Sequence, residues 1–225
     1  MISFTLAGLS TRKSTFSLIN ILYFWLILYK LMDTVATQLA QYLLQIKAIQ
    51  LNVQKPFTWA SGWKSPVYCD NRQILSYPEI RNFVRDQLTE AVKEKFSSVD
   101  VIAGVATGGI PLGALVADQL EIPFIYVRSA AKGHGMQRCV EGHIEDGQKI
   151  VMIEDLISSG KSSLQAVKSV REETNAEVIG LIALFSYGFD VAENNFNSAN
   201  VPYTTLSNYE TLISVAIKSG YISPD

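Results

Sequence analysis

Glu154 and Asp155 stand side by side at the end of an uninterrupted apolar run, Ile150-Val-Met-Ile153. After Leu156 and Ile157 comes a stretch of small residues, Ser158-Ser-Gly-Lys-Ser162. A short run this apolar reads as a parallel strand covered on both faces. Leu164, Val167 and Val170 follow at helical spacing. In open α/β sheets, ligands bind beyond the carboxyl ends of strands. A helix N-terminus with free backbone N–H groups is a ready phosphate site. Carboxylates repel phosphate, but they accept hydrogen bonds from sugar hydroxyls or approach a metal. The run therefore offers diol and phosphate recognition side by side, which suits a phosphorylated sugar. The same pattern also serves as a plain turn in many α/β proteins. It is neither a Walker A loop nor Gly-x-Gly-x-x-Gly, because both spacings are absent.

A second group of chemically capable residues lies upstream. The stretch 129–146 has little periodicity and, with Arg128, carries Lys132, His134, Arg138, His143 and glycines at 133, 135 and 142. A long unstructured stretch in a compact domain is usually functional. A basic loop facing an anionic site can close over it and exclude water. The alternative is a solvated surface loop. A third candidate is the glycine-rich turn Ala106-Thr-Gly-Gly109, with Thr107 at its centre.

The elements that must position these residues follow from spacing. Val35, Leu39, Leu43 and Ile46 predict a helix over 33–49, with Asp33 or Thr34 as its cap. Residues 52–72 are loop-like. Pro78 opens a helix to 96, with Ile80, Val84, Leu88 and Val92 on one face. Strands are expected at 99–105, 123–128, 150–153, 178–185 and 203–206. Helices are expected at 110–120, 159–174, 190–199 and 208–219. This βαβ succession predicts an α/β fold with a doubly wound, mainly parallel sheet.

The chain has 225 residues, 48% of them hydrophobic, enough for one sizeable core and one domain. A net charge of −2 argues against a nucleic-acid footprint. Cys69 and Cys139 lack metal-ligand spacing and read as thiols of a reduced, cytoplasmic protein. The first 31 residues differ: they hold Arg12, Lys13 and Lys30 and no acid, and 16–31 is almost wholly apolar. That stretch is shorter than the roughly 20 apolar residues of a spanning helix. No small-residue cleavage site follows it, as a signal peptide requires. The preferred division is an apolar extension at 1–31, upstream of a start at Met32, and a domain at 32–225. A membrane anchor or targeting segment is the competing reading.

As written, 150–162 resembles the 5-phosphoribosyl 1-diphosphate signature of type I phosphoribosyltransferases. The stretch Phe57-Thr-x-Ala-Ser-Gly-x-Lys-Ser-Pro-x-Tyr-Cys-Asp-Asn-Arg72 resembles the N-terminal segment of the orotate phosphoribosyltransferases. Ala103-Gly-Val-Ala-Thr-Gly-Gly-Ile-Pro-Leu-Gly113 resembles their diphosphate-binding turn, and Arg128-x-x-x-Lys-x-His-Gly135 their catalytic loop. The resemblance implies the type I phosphoribosyltransferase fold with a small N-terminal hood segment. It also implies transfer of the phosphoribosyl group to orotate with Mg²⁺, giving orotidine 5′-monophosphate in pyrimidine biosynthesis.

It implies roles as well. Arg128, Lys132 and His134 stabilise the leaving diphosphate, Thr107 is a binding residue of the diphosphate-binding turn, and Asp155 belongs to the catalytic set. Glu154 and Asp155 take the ribose hydroxyls. Ser159, Gly160, Lys161 and Ser162 hold the 5′-phosphate. Leu156, Ile157 and Ser158 belong to the same binding run, with Ser158 towards orotate. Tyr68 is a candidate wall for the pyrimidine, and no residue is assigned directly to the metal. A homodimer sharing loop 129–146 across subunits is implied, with no nucleic-acid partner, and membrane contact only if 1–31 is an anchor.

The chain departs from the pattern at Ser129, Ala130 and Ala60, where relatives carry Lys, and at Lys161, where Gly or Thr is common. A further departure is at 185–188, where some relatives carry an orotate-contacting Arg. A purine phosphoribosyltransferase would account for the signature but not for 57–72. A non-enzymatic sensor of the same diphosphate would need a DNA-binding domain and basic patch, neither visible in the sequence.

Overall fold

The computed structural model describes residues 35–52, 54–58, 64–128 and 138–223. Its frame is a six-stranded sheet in the order β10-β9-β8-β5-β6-β7. These strands are Tyr203–Asn208 (β10), Glu177–Ser186 (β9), Lys149–Ile157 (β8), Val101–Val105 (β5), Phe124–Val127 (β6) and Val140–Glu141 (β7). Every pairing is parallel except β6 with β7. From β5 the chain moves to β6 on one side, and β8, β9 and β10 extend on the other. The direction of winding thus reverses between β5 and β8, and at such a switch point the connections after the two strands diverge and leave a crevice.

Two apolar clusters hold the layers together. Val151 and Ile153 of β8 join Leu39 and Leu43 of helix α1 (residues 35–45), Val84 and Leu88 of α2 (Pro78–Lys95), Val116 of α3 (Gly109–Leu120) and Leu212 of α6 (Tyr209–Lys218). Ile150 and Met152 point to the other face, onto Val167 and Val170 of α4 (Lys161–Glu173) and Phe196 of α5 (Asp190–Ser198). Alternate residues of a strand face opposite sides, so one unbroken apolar run serves both cores.

Three expectations change in detail. Helix α1 ends at 45 rather than 49, because Lys47 turns the chain at φ 58° and Ile49 enters a strand. Ile46, Ala48 and Ile49 are all buried, so the apolar spacing runs through the turn without marking it. The loop-like 52–72 contains three short strands in antiparallel pairs: β4 (Val67–Cys69) with β1 (Ile49–Leu51), which precedes the stretch, and β2 (Phe57–Thr58) with β3 (Lys64–Ser65). The polar 129–146 stretch contains β7, whose two residues pair Val140 with Val127 and Glu141 with Tyr126. Among the described residues no helix is long and apolar enough to cross a membrane. Residues 1–31 lie outside the description.

Candidate active site

The switch point brings two of the motifs together. Turn 106–108 follows β5, loop 158–160 follows β8, and the two strands pair directly through Gly104 and Ile153. Close packing behind the turn depends on glycine. A Cβ on Gly104 would lie 2.8 Å from the Gly109 carbonyl oxygen, and one on Gly113 would lie 2.9 Å from the Phe124 ring. A Cβ on Gly109 would collide with the Ile153 carbonyl oxygen. Helix α3 can therefore start hard against the ends of β5 and β8. The peptide between Ala106 and Thr107 is cis. Thr107 is exposed at the crevice, and Gly108 beneath it is buried.

The two carboxylates are not equivalent. Both lie within β8, which continues past them because β9 stays paired, Glu154 with Ala183 and Leu156 with Phe185. Asp155 is half-buried and its carboxylate rests on Gly108, where a Cβ would strike it. Glu154 is 4% exposed; one carboxyl oxygen accepts a 2.9 Å hydrogen bond from Ser163 Oγ, itself fully buried on α4, and the other accepts from the Asp155 N–H at 3.1 Å. Burial, then the adjacent Asp155 charge, hold its carboxyl far above the usual carboxylate range. Glu154 is therefore a neutral acid near pH 7, locked to the first turn of α4. Asp155 is the member of the pair that faces the crevice.

One end of the crevice is the start of α4. Gly160 sits at φ 73°, and a Cβ there would also come within 2.6 Å of the Phe196 ring, so two separate constraints require glycine. No side chain caps this helix, and Gly160 takes the N-cap position. The N–H groups of the first turn have no partner within a helix and point outward beyond it. Ser158, Lys161 and Ser162 are exposed around them, and Ser159 is half-buried. Asn195 of α5 holds the loop from below, its Nδ2 donating to the Ser159 carbonyl at 3.0 Å. Leu156 packs towards the α1–α3 side, and Ile157 is buried on the α4–α5 side.

The third wall comes from the N-terminal segment. Tyr68 is 39% exposed, with its ring centroid 5.7 Å from that of Phe57. Asn71 opens a short 3-10 helix, Asn71–Ser76, and is 3% exposed. Its Nδ2 donates to the Asp155 carbonyl at 2.7 Å, and its Oδ1 accepts from Cys69 Sγ at 3.2 Å. Burial first, then the Asp155 and Asp70 charges, push the Cys69 thiol up and keep it a protonated donor.

Arg128 stands at the stem of the basic loop. Its N–H donates to the Cys139 carbonyl at 2.9 Å, and its guanidinium lies 3.6 Å from a Glu141 carboxyl oxygen. Lys132 and His134 lie outside the described residues. Arg138 and His143 line a different feature, a polar groove of about 380 Å³ with Arg171 and Glu173. That groove is at the C-terminal end of α4, roughly 18 Å along the helix from the crevice by its rise per residue.

Asn71, Ser163 and Asn195 are the site's supporting residues that residue-type reasoning passes over. Each acts through one hydrogen bond to a distant residue. Only Asn71 had a local signal, its place within the 57–72 pattern.

Known proteins resemble this chain in sequence and in fold. Residues 70–219 match the phosphoribosyl transferase domain family. The chain is 56% identical over 186 residues to an orotate phosphoribosyltransferase of Bacteroides thetaiotaomicron, covering 83% of this chain and 87% of the relative. It is 55% identical over 194 residues to that of Phocaeicola vulgatus, covering 86% and 91%. Among solved structures, an orotate phosphoribosyltransferase from Aeropyrum pernix superposes with a TM-score of 0.70 at 27% identity, covering 82% of this chain and 99% of that one.

Proposed function

This chain belongs to the phosphoribosyltransferase family, among the orotate phosphoribosyltransferases, and on that premise we propose how its residues divide the work. The protein transfers the phosphoribosyl group of 5-phosphoribosyl 1-diphosphate to orotate, giving orotidine 5′-monophosphate and diphosphate. The observation that carries the assignment of roles is the switch-point crevice, where the Asp155 carboxylate sits on Gly108 beside the uncapped start of α4.

The 5′-phosphate lies on the first-turn N–H groups of α4, with Ser159, Gly160, Lys161 and Ser162 around it. Asp155 is the outer acceptor for the ribose hydroxyls. Glu154, neutral behind it, joins them only by giving up its bond to Ser163. Ser158 and Tyr68 face the pyrimidine, while Leu156 and Ile157 carry the run between. The diphosphate runs along turn 106–109 past Thr107. As the bond from the ribose to the diphosphate breaks, negative charge grows on the leaving group. Arg128, Lys132 and His134 meet that charge in a water-poor space, where fixed positive groups act most strongly. For Arg128 this competes with Glu141 at the loop stem. The half-exposed Asp155 carboxylate beside substrate oxygens suits Mg²⁺, which keeps waters and takes one or two carboxylates plus phosphates. Asp155 would hold the ion there, and it would supply positive charge against the diphosphate.

Residues 32–225 carry the activity, and a homodimer shares loop 129–146 across subunits. Cys69 and Cys139 are both free thiols, which fits a reducing cytoplasm. The test is direct. Purified protein with Mg²⁺, orotate and 5-phosphoribosyl 1-diphosphate should consume orotate absorbance and release diphosphate in equal amounts. Turnover with adenine or hypoxanthine, and none with orotate, would reject the assignment.

A further inference from the structure

Strand β8 loses its β5 neighbour before the site is reached. The ladder between them ends at Gly104 and Ile153, so the Asp155 carbonyl lies beyond it. The group that takes this carbonyl is the Asn71 amide, 84 residues away in sequence, at 2.7 Å. The orientation of that amide follows from this partner. The Asp155 carbonyl can only accept, so Nδ2 must face it, which leaves Oδ1 to accept from Cys69 Sγ at 3.2 Å. Asn71 is 3% exposed, and both its bonds are part-buried.

We infer that Asn71 is a positioning residue that sets the base-facing wall at Tyr68 in register with the ribose-facing carboxylate of Asp155. The inference rests on the reading of the crevice given above. Tyr68, Cys69 and Asn71 are near neighbours in the chain, so the bond to Asp155 fixes the end of β4 relative to the end of β8. The two partners differ in stiffness. Asp155 lies in a nine-residue strand, with its side chain seated on Gly108. Strand β4 has three residues and pairs with one other three-residue strand, β1. When the bond is lost, the N-terminal wall moves and Asp155 stays. The pyrimidine then loses its wall while the phosphoribosyl group keeps its contacts.

The test uses Asn71→Asp, which keeps the shape and the acceptor for Cys69 but replaces the donor, and Asn71→Ala, which removes the donor without adding charge. KM does not depend on how much of a preparation is folded, so it reports on the site even when a variant is unstable. Both variants should raise KM for orotate roughly tenfold or more, the scale of one unsatisfied buried group. KM for 5-phosphoribosyl 1-diphosphate should stay within about twofold to threefold. A purely structural role would instead lower Tm and kcat with both KM values unchanged, and that result overturns the inference. An equal rise in both KM values also overturns it, because Asp155 would then have moved. Absence of orotate turnover in the unaltered protein would reject the parent reading, not this one.

Discussion

Glu154→Gln should make the protein more resistant to rising pH. In the fold, Glu154 is 4% exposed, hydrogen-bonded to Ser163 and beside the Asp155 charge, and its carboxyl is held far above the usual range. In the unfolded chain a Glu titrates at about 4.3. Folding therefore takes up a proton at any pH between those two values. A group whose pKa is raised on folding contributes stability that is complete below its unfolded pKa and is lost as pH rises towards the folded one. The slope inside that window is about 1.36 kcal/mol per pH unit, whatever the exact folded value. From pH 6 to pH 8 the wild type should lose about 2.7 kcal/mol through this one residue, provided Glu154 stays protonated throughout.

Gln has nearly the same shape, offers an oxygen to Ser163 and carries no titrating proton. The difference between the two proteins isolates the Glu154 contribution, because every other titrating group is shared. For a chain of this size 1 kcal/mol moves Tm by roughly 2–4 °C, so the Tm gap should widen by roughly 5–10 °C in favour of Glu154→Gln between pH 6 and pH 8. Differential scanning calorimetry at four pH values measures it. A gap that stays constant would mean that Glu154 is already ionised in the fold. The separation of the two carboxylates into an inner neutral and an outer charged member would then be wrong.

Other outcomes follow from the same geometry. Gly108→Ala places a methyl on the Asp155 carboxylate; the protein should lose about 1–3 kcal/mol of stability to overpacking and lose turnover further, read by calorimetry and orotate consumption. Lys132→Ala should cost about 2.7–4 kcal/mol of barrier, the scale of one lost oxyanion-hole donor, and should lower kcat far more than it raises KM. Mixing Lys132→Ala with Asp155→Asn chains should restore part of the activity if the loop serves the neighbouring subunit, and none if each site is self-contained. A chain beginning at Met32 should match the full chain in kcat and KM, and loss of folding without residues 1–31 would contradict the domain division.

The site's main parts were legible because they are local. A four-residue apolar run, two acids and a Ser/Gly loop can be recognised without knowing the fold, and so can the glycines of 104–113. The alternation of elements then places both loops at the same end of one sheet. The unequal carboxylates were not legible. Residue type makes Glu154 and Asp155 alike, and only the packing of α4 beside the continued strand β8 buries one of them. Asn71, Ser163 and Asn195 were hidden for a related reason, since their partners lie 84, 9 and 36 residues away. The apolar spacing overstates the length of helix α1 because buried residues at 46, 48 and 49 continue the rhythm through a turn. Strand β7 has two residues, too few for any periodicity to show.

The central claim is that this crevice joins a phosphoribosyl group to orotate rather than to another base. One competition reads it directly. Orotate, uracil, adenine and hypoxanthine are supplied together in equal amounts with Mg²⁺ and limiting 5-phosphoribosyl 1-diphosphate, and the nucleotides formed are identified by mass spectrometry. Orotidine 5′-monophosphate should be essentially the sole product, and its yield should collapse with Asp155→Asn. A purine nucleotide as the main product, or an undiminished yield from Asp155→Asn, would contradict the account.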